Sequence, residues 1–132
     1  MTDETPPHFP LGPLAGEFYD RGRKLVLLRS FMFDDGEFPV VVPKHATSDF
    51  NSVPRVLWSV FPPWHYPEAG VVHDFLYRNG GRSPGGDVIY TRAEADEIHR
   101  RILQVTGAPW LLRQLAHRAL RLFGGGAWKG AA

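Results

Sequence analysis

The arrangement of apolar and polar residues predicts a β-hairpin in the first third of the chain. Residues 24–33 (KLVLLRSFMF) and 37–43 (EFPVVVP) are largely apolar and contain valine and phenylalanine, which favour strands. Residues 34–36 (DDG) between them tolerate the backbone angles of a tight turn. Residues 1–16 contain four prolines, so we expect an irregular N-terminal arm there.

Apolar residues spaced three and four apart then predict helices. Thr91 and Glu94 form a capping-box pattern, Pro67 suits a first helical turn, and glycines follow the apolar runs as stop signals. Four helices are expected, over residues 54–60, 66–79, 91–104 and 109–123. Residues 80–86 (GGRSPGG) read as a flexible connector. The fold class is therefore α+β, mainly helical, with residues 1–132 forming a single domain.

Composition narrows the function classes. The 132 residues include no cysteine, which excludes disulfides, thiolate metal ligands and a cysteine nucleophile. The formal net charge of +1 gives no general electrostatic reason to bind nucleic acid, and no specific nucleic acid is expected as a partner. The N-terminus has neither the basic start nor the apolar stretch of a signal peptide, so we expect synthesis in the cytoplasm without one.

Two histidines and two aspartates fall on or beside the apolar faces of the middle helices. His73 lies within the apolar stripe of the predicted helix 66–79, with Tyr77 one turn away. His99 falls within the stripe of the helix 91–104, and Asp96 lies at its edge. Two antiparallel helices would place His73 opposite Asp96 or His99.

A buried histidine with a carboxylate partner meets the requirements of a general base, because the carboxylate fixes its tautomer and raises its basicity. Asp74, expected to be exposed beside His73, is a candidate ligand for a hard cation. Asp49 either caps the following helix or completes this site. The alternative interpretation is a core histidine held in a purely structural network.

The fourth predicted helix separates into two sides. One side is expected to pack in the core (Leu112, Leu115, Ala119 and Leu122), together with Trp110 at the start of the helix. The other side carries Arg113, His117, Arg118 and Arg121 and is expected to face solvent, or else anionic lipid or another subunit.

Residues 73–78 (HDFLYR), Arg92 and residues 95–96 (AD) resemble the H-D-x-x-Y-R … A-D pattern of bacterial secreted phospholipase A2 proteins. The resemblance implies that His73 activates water, Asp74 holds calcium, Asp96 orients the histidine and Tyr77 braces Asp96. The middle helices would then form a phospholipase A2-like pair. The chain departs from that family in lacking cysteine and a clear glycine-bearing calcium loop in residues 61–68.

A second resemblance covers more of the chain. Residues 47–50 (TSDF), 52–55 (SVPR), 73–78 and 91–96 (TRAEAD) together resemble the phage and prophage domain-of-unknown-function family 1353, whose genes commonly lie among tail genes. This implies tail or baseplate subunits as partners and incorporation in the virion. Where that family usually has an apolar aromatic, the chain has His99.

The two resemblances leave two hypotheses open. The first is a tail-associated hydrolase that cleaves an ester or amide of the bacterial envelope, with a phospholipid as the expected substrate. Such an enzyme would have membrane lipid or the cell wall as a partner. The second is a non-catalytic component of a tail tip or baseplate. Calcium is the expected cofactor of the first. Zinc on His73, Asp96 and His99 ranks below both calcium and a site without metal.

Overall fold

In the computed structural model, five short strands precede three α-helices. The structure describes residues 8–21, 23–50, 58, 65–84 and 88–129. The strands are β1 (Gly16–Tyr19), β2 (Lys24–Leu27), β3 (Phe31–Phe33), β4 (Val40–Val42) and β5 (Thr47–Ser48). The helices are α1 (Pro67–Arg78), α2 (Arg92–Val105) and α3 (Trp110–Phe123), and a 3-10 turn (Gly124–Ala127) follows. The predicted α+β class is confirmed.

Three of the four predicted helices are present, with ends within two residues of those expected. The remaining one, over residues 54–60, lies outside the described residues except for Trp58. No helix in the described part of the chain is long and apolar enough to cross a membrane.

The predicted hairpin turn is confirmed at residues 34–36. The strands β3 and β4 pair antiparallel on either side of it, with Phe33 opposite Val40. The carboxylate of Asp34 accepts the N–H of Gly36 at 2.8 Å. Gly36 has φ +93°, a backbone angle that glycine adopts without steric cost.

The single strand predicted over residues 24–33 is wrong, because the chain bends at residues 28–30 and forms two strands. β2 belongs to a three-stranded sheet of order β1-β2-β5, whereas β3 pairs with β4 in a separate sheet. At the bend, the N–H of Leu28 donates to the carbonyl of Ala15 at 2.9 Å, and the Ser30 hydroxyl accepts the N–H of Lys44 at 3.1 Å. These bonds to other segments divert the chain. β1, directly after the predicted arm, was not predicted.

Local sequence signals fix the ends of the two middle helices. Pro67 opens α1, with Glu68 in its first turn. The capping box of α2 forms both of its bonds: the N–H of Glu94 donates to the Thr91 hydroxyl at 3.1 Å, and the N–H of Thr91 donates to the Glu94 carboxylate at 2.9 Å. Between the helices, Arg82 and Ile89 form a β-bridge, so the described part of the connector is hydrogen-bonded rather than irregular.

α3 is rotated relative to the predicted orientation. Its buried residues are Ala116 and Leu120, whereas Leu115, Leu122 and Trp110, expected in the core, are exposed. Leu112 and Ala119, also expected in the core, are half-buried against it. From the side expected to face solvent, Arg121 donates to Asp96 at 2.8 Å and Arg113 donates to the carbonyl of Ala108 at 3.0 Å, whereas Arg118 is exposed. The inward side of α3 is therefore the one that buries Ala116 and Leu120 and makes these two hydrogen bonds.

Candidate functional site

His73 of α1 and Asp96 of α2 are in direct contact. The Nε2 atom of His73 lies 2.7 Å from Oδ1 of Asp96, and both side chains are completely buried. They meet because each occupies the apolar face with which its helix packs against the other: Ala69 and Leu76 flank His73 in α1, and Ile98 is buried in α2. Of the two partners that the sequence left open for His73, Asp96 is the hydrogen-bonded one.

Tyr77 joins the same carboxylate. Its hydroxyl donates to Oδ1 of Asp96 at 2.5 Å and accepts a hydrogen bond from Nε of Arg92 at 3.1 Å. The ring of Tyr77 also lies against that of His73, with centroids 4.1 Å apart. The ring of Trp128 packs edge to face with that of Tyr77, with centroids 5.2 Å apart. The structure thus brings together the three residues predicted as catalytic, His73, Asp96 and Tyr77.

Arginines from two helices complete the network. Nη1 of Arg121 donates to Oδ2 of Asp96 at 2.8 Å, on the side of the carboxylate away from the His73 contact. Nη2 of Arg92 donates to the carbonyls of Leu120 at 2.6 Å and Arg121 at 3.1 Å, near the end of α3. Arg92 therefore connects Tyr77 with α3, and α3 in turn contributes the Arg121 guanidinium that binds Asp96.

These contacts keep Asp96 ionised. Burial by itself would raise the pKa of Asp96, but the hydrogen bond from His73, with those from Tyr77 and Arg121, outweighs it and lowers the pKa below its usual value. An ionised carboxylate only accepts hydrogen bonds, so His73 must donate from Nε2. In the neutral imidazole the lone pair consequently resides on Nδ1.

The phenol of Tyr77 remains a donor. Burial raises its pKa well above the usual value, and the hydrogen bond to Asp96 raises it further. His99 is likewise neutral at pH 7, because complete burial, together with the nearby His73, lowers its pKa well below the usual range. The rings of His73 and His99 have centroids 5.0 Å apart and meet edge to face.

Asp74 is not exposed, contrary to the prediction; only 2% of its surface is accessible. Its Oδ2 accepts the Ser48 hydroxyl of β5 at 3.0 Å and lies 3.3 Å from Nε of Arg78. Nη2 of Arg78 also lies 2.9 Å from Oδ2 of Asp49. Burial raises the pKa of Asp74, and the Arg78 cation opposes this rise. The reason for the burial is that β5 packs on α1 beside it.

The predicted metal ligands do not fit a cation site in this arrangement. Asp74 and Asp49, the two carboxylates expected to hold calcium, share the guanidinium of Arg78, which lies between them and offsets one of their two negative charges. Calcium takes six to eight oxygen ligands, at distances of about 2.3–2.6 Å. Among the described residues, no group of three or more histidine, aspartate or glutamate side chains is placed to hold a metal ion.

A zinc site on His73, Asp96 and His99 fits no better. Both oxygens of Asp96 already accept hydrogen bonds, from His73 and Tyr77 on one side and from Arg121 on the other. Zinc would have to replace these donors at distances of about 2.0–2.2 Å.

From the sequence, no role in the site was assigned to four polar residues that hold it together: Arg92, Arg121, Ser48 and Arg78. Arg78 could have been found from its spacing, since it lies four residues after Asp74 on the same helix face. Arg121 could not, because its contact depends on the rotation of α3. Ser52 and Arg55, quoted for the family resemblance, lie outside the described residues.

The comparisons with known proteins agree with one sequence-based prediction. No curated protein and no solved structure matches the chain. A family model described as "Protein of unknown function (DUF1353)" matches residues 25–120, a range that runs from β2 to α3 and includes His73, Tyr77 and Asp96. The prediction of this family is confirmed, and the chain belongs to it.

Proposed function

We propose that the protein is a phage or prophage tail-associated hydrolase that cleaves an ester of the bacterial envelope, with a phospholipid as the preferred substrate. The observation that carries the proposal is the 2.7 Å contact between Nε2 of His73 and Oδ1 of Asp96. An ionised carboxylate that accepts the Nε2 proton orients the imidazole and leaves the lone pair of the neutral ring on Nδ1. Water activation needs such a base.

In the proposed reaction, Nδ1 of His73 accepts a proton from water while the water oxygen attacks the ester carbonyl carbon. The carbon–oxygen bond to the leaving alcohol then breaks, and the imidazolium returns the proton to the departing alkoxide. Asp96 stabilises the imidazolium, and Tyr77 and Arg121 hold Asp96 in position. The products are a fatty acid and a lysophospholipid.

A second candidate function is favoured by the complete burial of His73. Its side chain has 0% exposed surface, so in the described arrangement neither water nor substrate reaches the ring from bulk solvent. In this alternative, the network of His73, Tyr77, Asp96 and Arg121 only stabilises the packing of the three helices. The protein would then be a non-catalytic component of a tail tip or baseplate.

Hydrolysis assays separate the two candidates. Wild type, His73→Ala and His45→Asn would be incubated with phospholipid vesicles and with peptidoglycan, each with added calcium and with a chelator. His45 is an exposed loop histidine with φ +72°, an angle that asparagine tolerates, and so provides the matched control. We expect wild type and His45→Asn to release fatty acid and His73→Ala to release none.

The opposite results assign the structural role. If wild type hydrolyses neither substrate under any of these conditions, while His73→Ala unfolds at a markedly lower temperature, the network stabilises the fold and the hydrolase proposal is wrong.

A further inference from the structure

The outward side of α3 carries a row of exposed leucines. Leu111, Leu115 and Leu122 have 62%, 51% and 74% of their surfaces accessible, and they are spaced so that all three point in nearly the same direction from the helix axis. Trp110 and Phe123, at the two ends of α3, are also exposed. An exposed apolar face of this extent marks an interaction surface.

The charge of α3 indicates the kind of partner. Over residues 110–123 the helix contains three arginines and one histidine and no acidic residue. Arg118 is exposed and lies within the leucine row, three residues after Leu115 and four before Leu122. An arginine between exposed leucines places its apolar stem beside them and extends its cation outward, as side chains do at a lipid headgroup layer.

We propose that this face of α3, formed by Leu111, Leu115, Arg118 and Leu122, is a docking surface for a lipid bilayer with anionic headgroups. The leucines would enter the boundary between headgroups and acyl chains, and Arg118 would pair with lipid phosphates. The proposal concerns binding alone and does not depend on the hydrolase.

Charge complementarity favours lipid over a second copy of the chain. A two-fold contact between copies would join identical surfaces. On this face each copy would bring Arg118 and no carboxylate from α3, so the contact would supply the two cations with no counter-charge from the helix. An anionic bilayer supplies the missing negative charge.

α3 also contacts the buried network of His73, Tyr77 and Asp96. Arg121 contacts Asp96 from the inward side of the helix, and Arg92 binds the carbonyls near its C-terminal end. A bilayer bound on the outward side would therefore lie one helix diameter, about 10 Å, from the site. The docking surface and the His73–Asp96 pair thus share a single structural element.

Vesicle co-sedimentation tests the proposal. Vesicles would be made from diether phosphatidylcholine, with or without diether phosphatidylglycerol, because ether lipids contain no acyl ester and binding is then measured independently of hydrolysis. Leu122→Glu removes an exposed leucine from the face. Ile89→Glu is its matched control, since Ile89 is similarly exposed, at 65%, but lies in the connector before α2.

We expect wild type and Ile89→Glu to bind the anionic vesicles with similar affinity and Leu122→Glu to bind roughly tenfold or more weakly. Arg118→Gln should weaken binding by about fivefold and flatten its salt dependence, whereas Arg23→Gln, at an exposed position beside β2, should change neither. Thermal unfolding would establish that each variant is folded.

Three results would overturn the proposal: absence of wild-type binding to anionic vesicles, equal binding by Leu122→Glu and wild type, or equal binding to vesicles of phosphatidylcholine alone with no effect of Arg118→Gln. Analytical ultracentrifugation adds a fourth. If the chain is a dimer without lipid and Leu122→Glu is a monomer, the leucine row is a contact between copies.

Discussion

Arg121 of α3 donates a hydrogen bond to Oδ2 of Asp96 at 2.8 Å, while Oδ1 of the same carboxylate receives His73 and Tyr77. The guanidinium is partly exposed, whereas the carboxylate is fully buried. Asp96 therefore carries its charge inside the protein because a cation reaches it from the surface. This contact makes α3 part of the site, although α3 contributes no group to the His73–Asp96 pair itself.

Replacing Asp96 by asparagine should destabilise the protein strongly. The substitution removes the charge that pairs with Arg121 and converts one acceptor into a donor facing other donors. We expect a loss of about 3–5 kcal/mol in the free energy of unfolding, measured by urea denaturation. Asp20→Asn, which affects only an exposed pair with Lys24, should cost less than about 1 kcal/mol. Similar losses in both variants would contradict a stabilising role for the network.

Two arginines of α3, three residues apart, should differ in their effect on stability. Arg121→Ala leaves Oδ2 of the buried Asp96 without its donor, so we expect the free energy of unfolding to fall by about 1–3 kcal/mol. Arg118→Ala alters an exposed position and should change it by less than about 0.5 kcal/mol. Urea denaturation of the two variants measures the difference, and the reverse order would show that α3 is oriented with its other side inward.

The elements encoded by local signals were predictable from the sequence. The capping box at Thr91, the proline at the start of α1 and the turn at residues 34–36 each act within a few residues, and each is found where expected. The contact between His73 and Asp96 was also accessible, because helical periodicity places both on faces that meet when the helices pack.

What could not be predicted depends on contacts distant in sequence. The bend between β2 and β3 is set by bonds to Ala15 and Lys44. The buried positions resume in phase beyond it, since Leu27 and Phe31 are both buried and only the exposed Arg29 interrupts the alternation. The rotation of α3 depends on which of its residues are buried, Ala116 and Leu120, and on the contact of Arg121 with Asp96, a residue of another helix. Leucine spacing identifies an apolar side of a helix but does not say whether that side faces the core or a partner.

Gly70 should be intolerant of a methyl group. A Cβ atom there would lie 2.6 Å from Cδ1 of Phe50, whose ring is buried between α1 and the strands. We expect Gly70→Ala to lower the free energy of unfolding by about 1–2 kcal/mol, because the clash exceeds the gain in helix propensity. Gly126→Ala is the control, since nothing lies within 4 Å of the added atom. A stabilised Gly70→Ala variant would contradict the close approach of Phe50.

In acid, the free energy of unfolding should decrease as the pH falls, in part because the Glu97 carboxylate becomes protonated. Hydrogen bonds from Arg100, at 2.7 and 2.6 Å, and from Arg101, at 2.9 Å, lower the pKa of Glu97 from its usual 4.5 to about 2. Its contribution to stability is therefore complete above pH 4.5 and is lost as the pH falls towards 2.

Comparison with Glu97→Gln isolates this contribution. The variant should be less stable than wild type at pH 7, by about 1 kcal/mol once solvent screening of this partly exposed group is considered. The difference should shrink between pH 4.5 and 2. Unfolding free energies measured across that range check the prediction, and a difference that stays constant with pH would show that the Arg100 and Arg101 contacts do not form in solution.

The most direct test of the proposed His73–Asp96 base is the initial rate of fatty-acid release from phosphatidylglycerol vesicles by wild type and His73→Gln, compared at equal folded fraction. Glutamine retains a donor for Asp96 but offers no basic nitrogen to water. We expect wild type to release fatty acid and the variant to do so at least about 100-fold more slowly. Equal rates, or no release by wild type, would contradict a general base at His73.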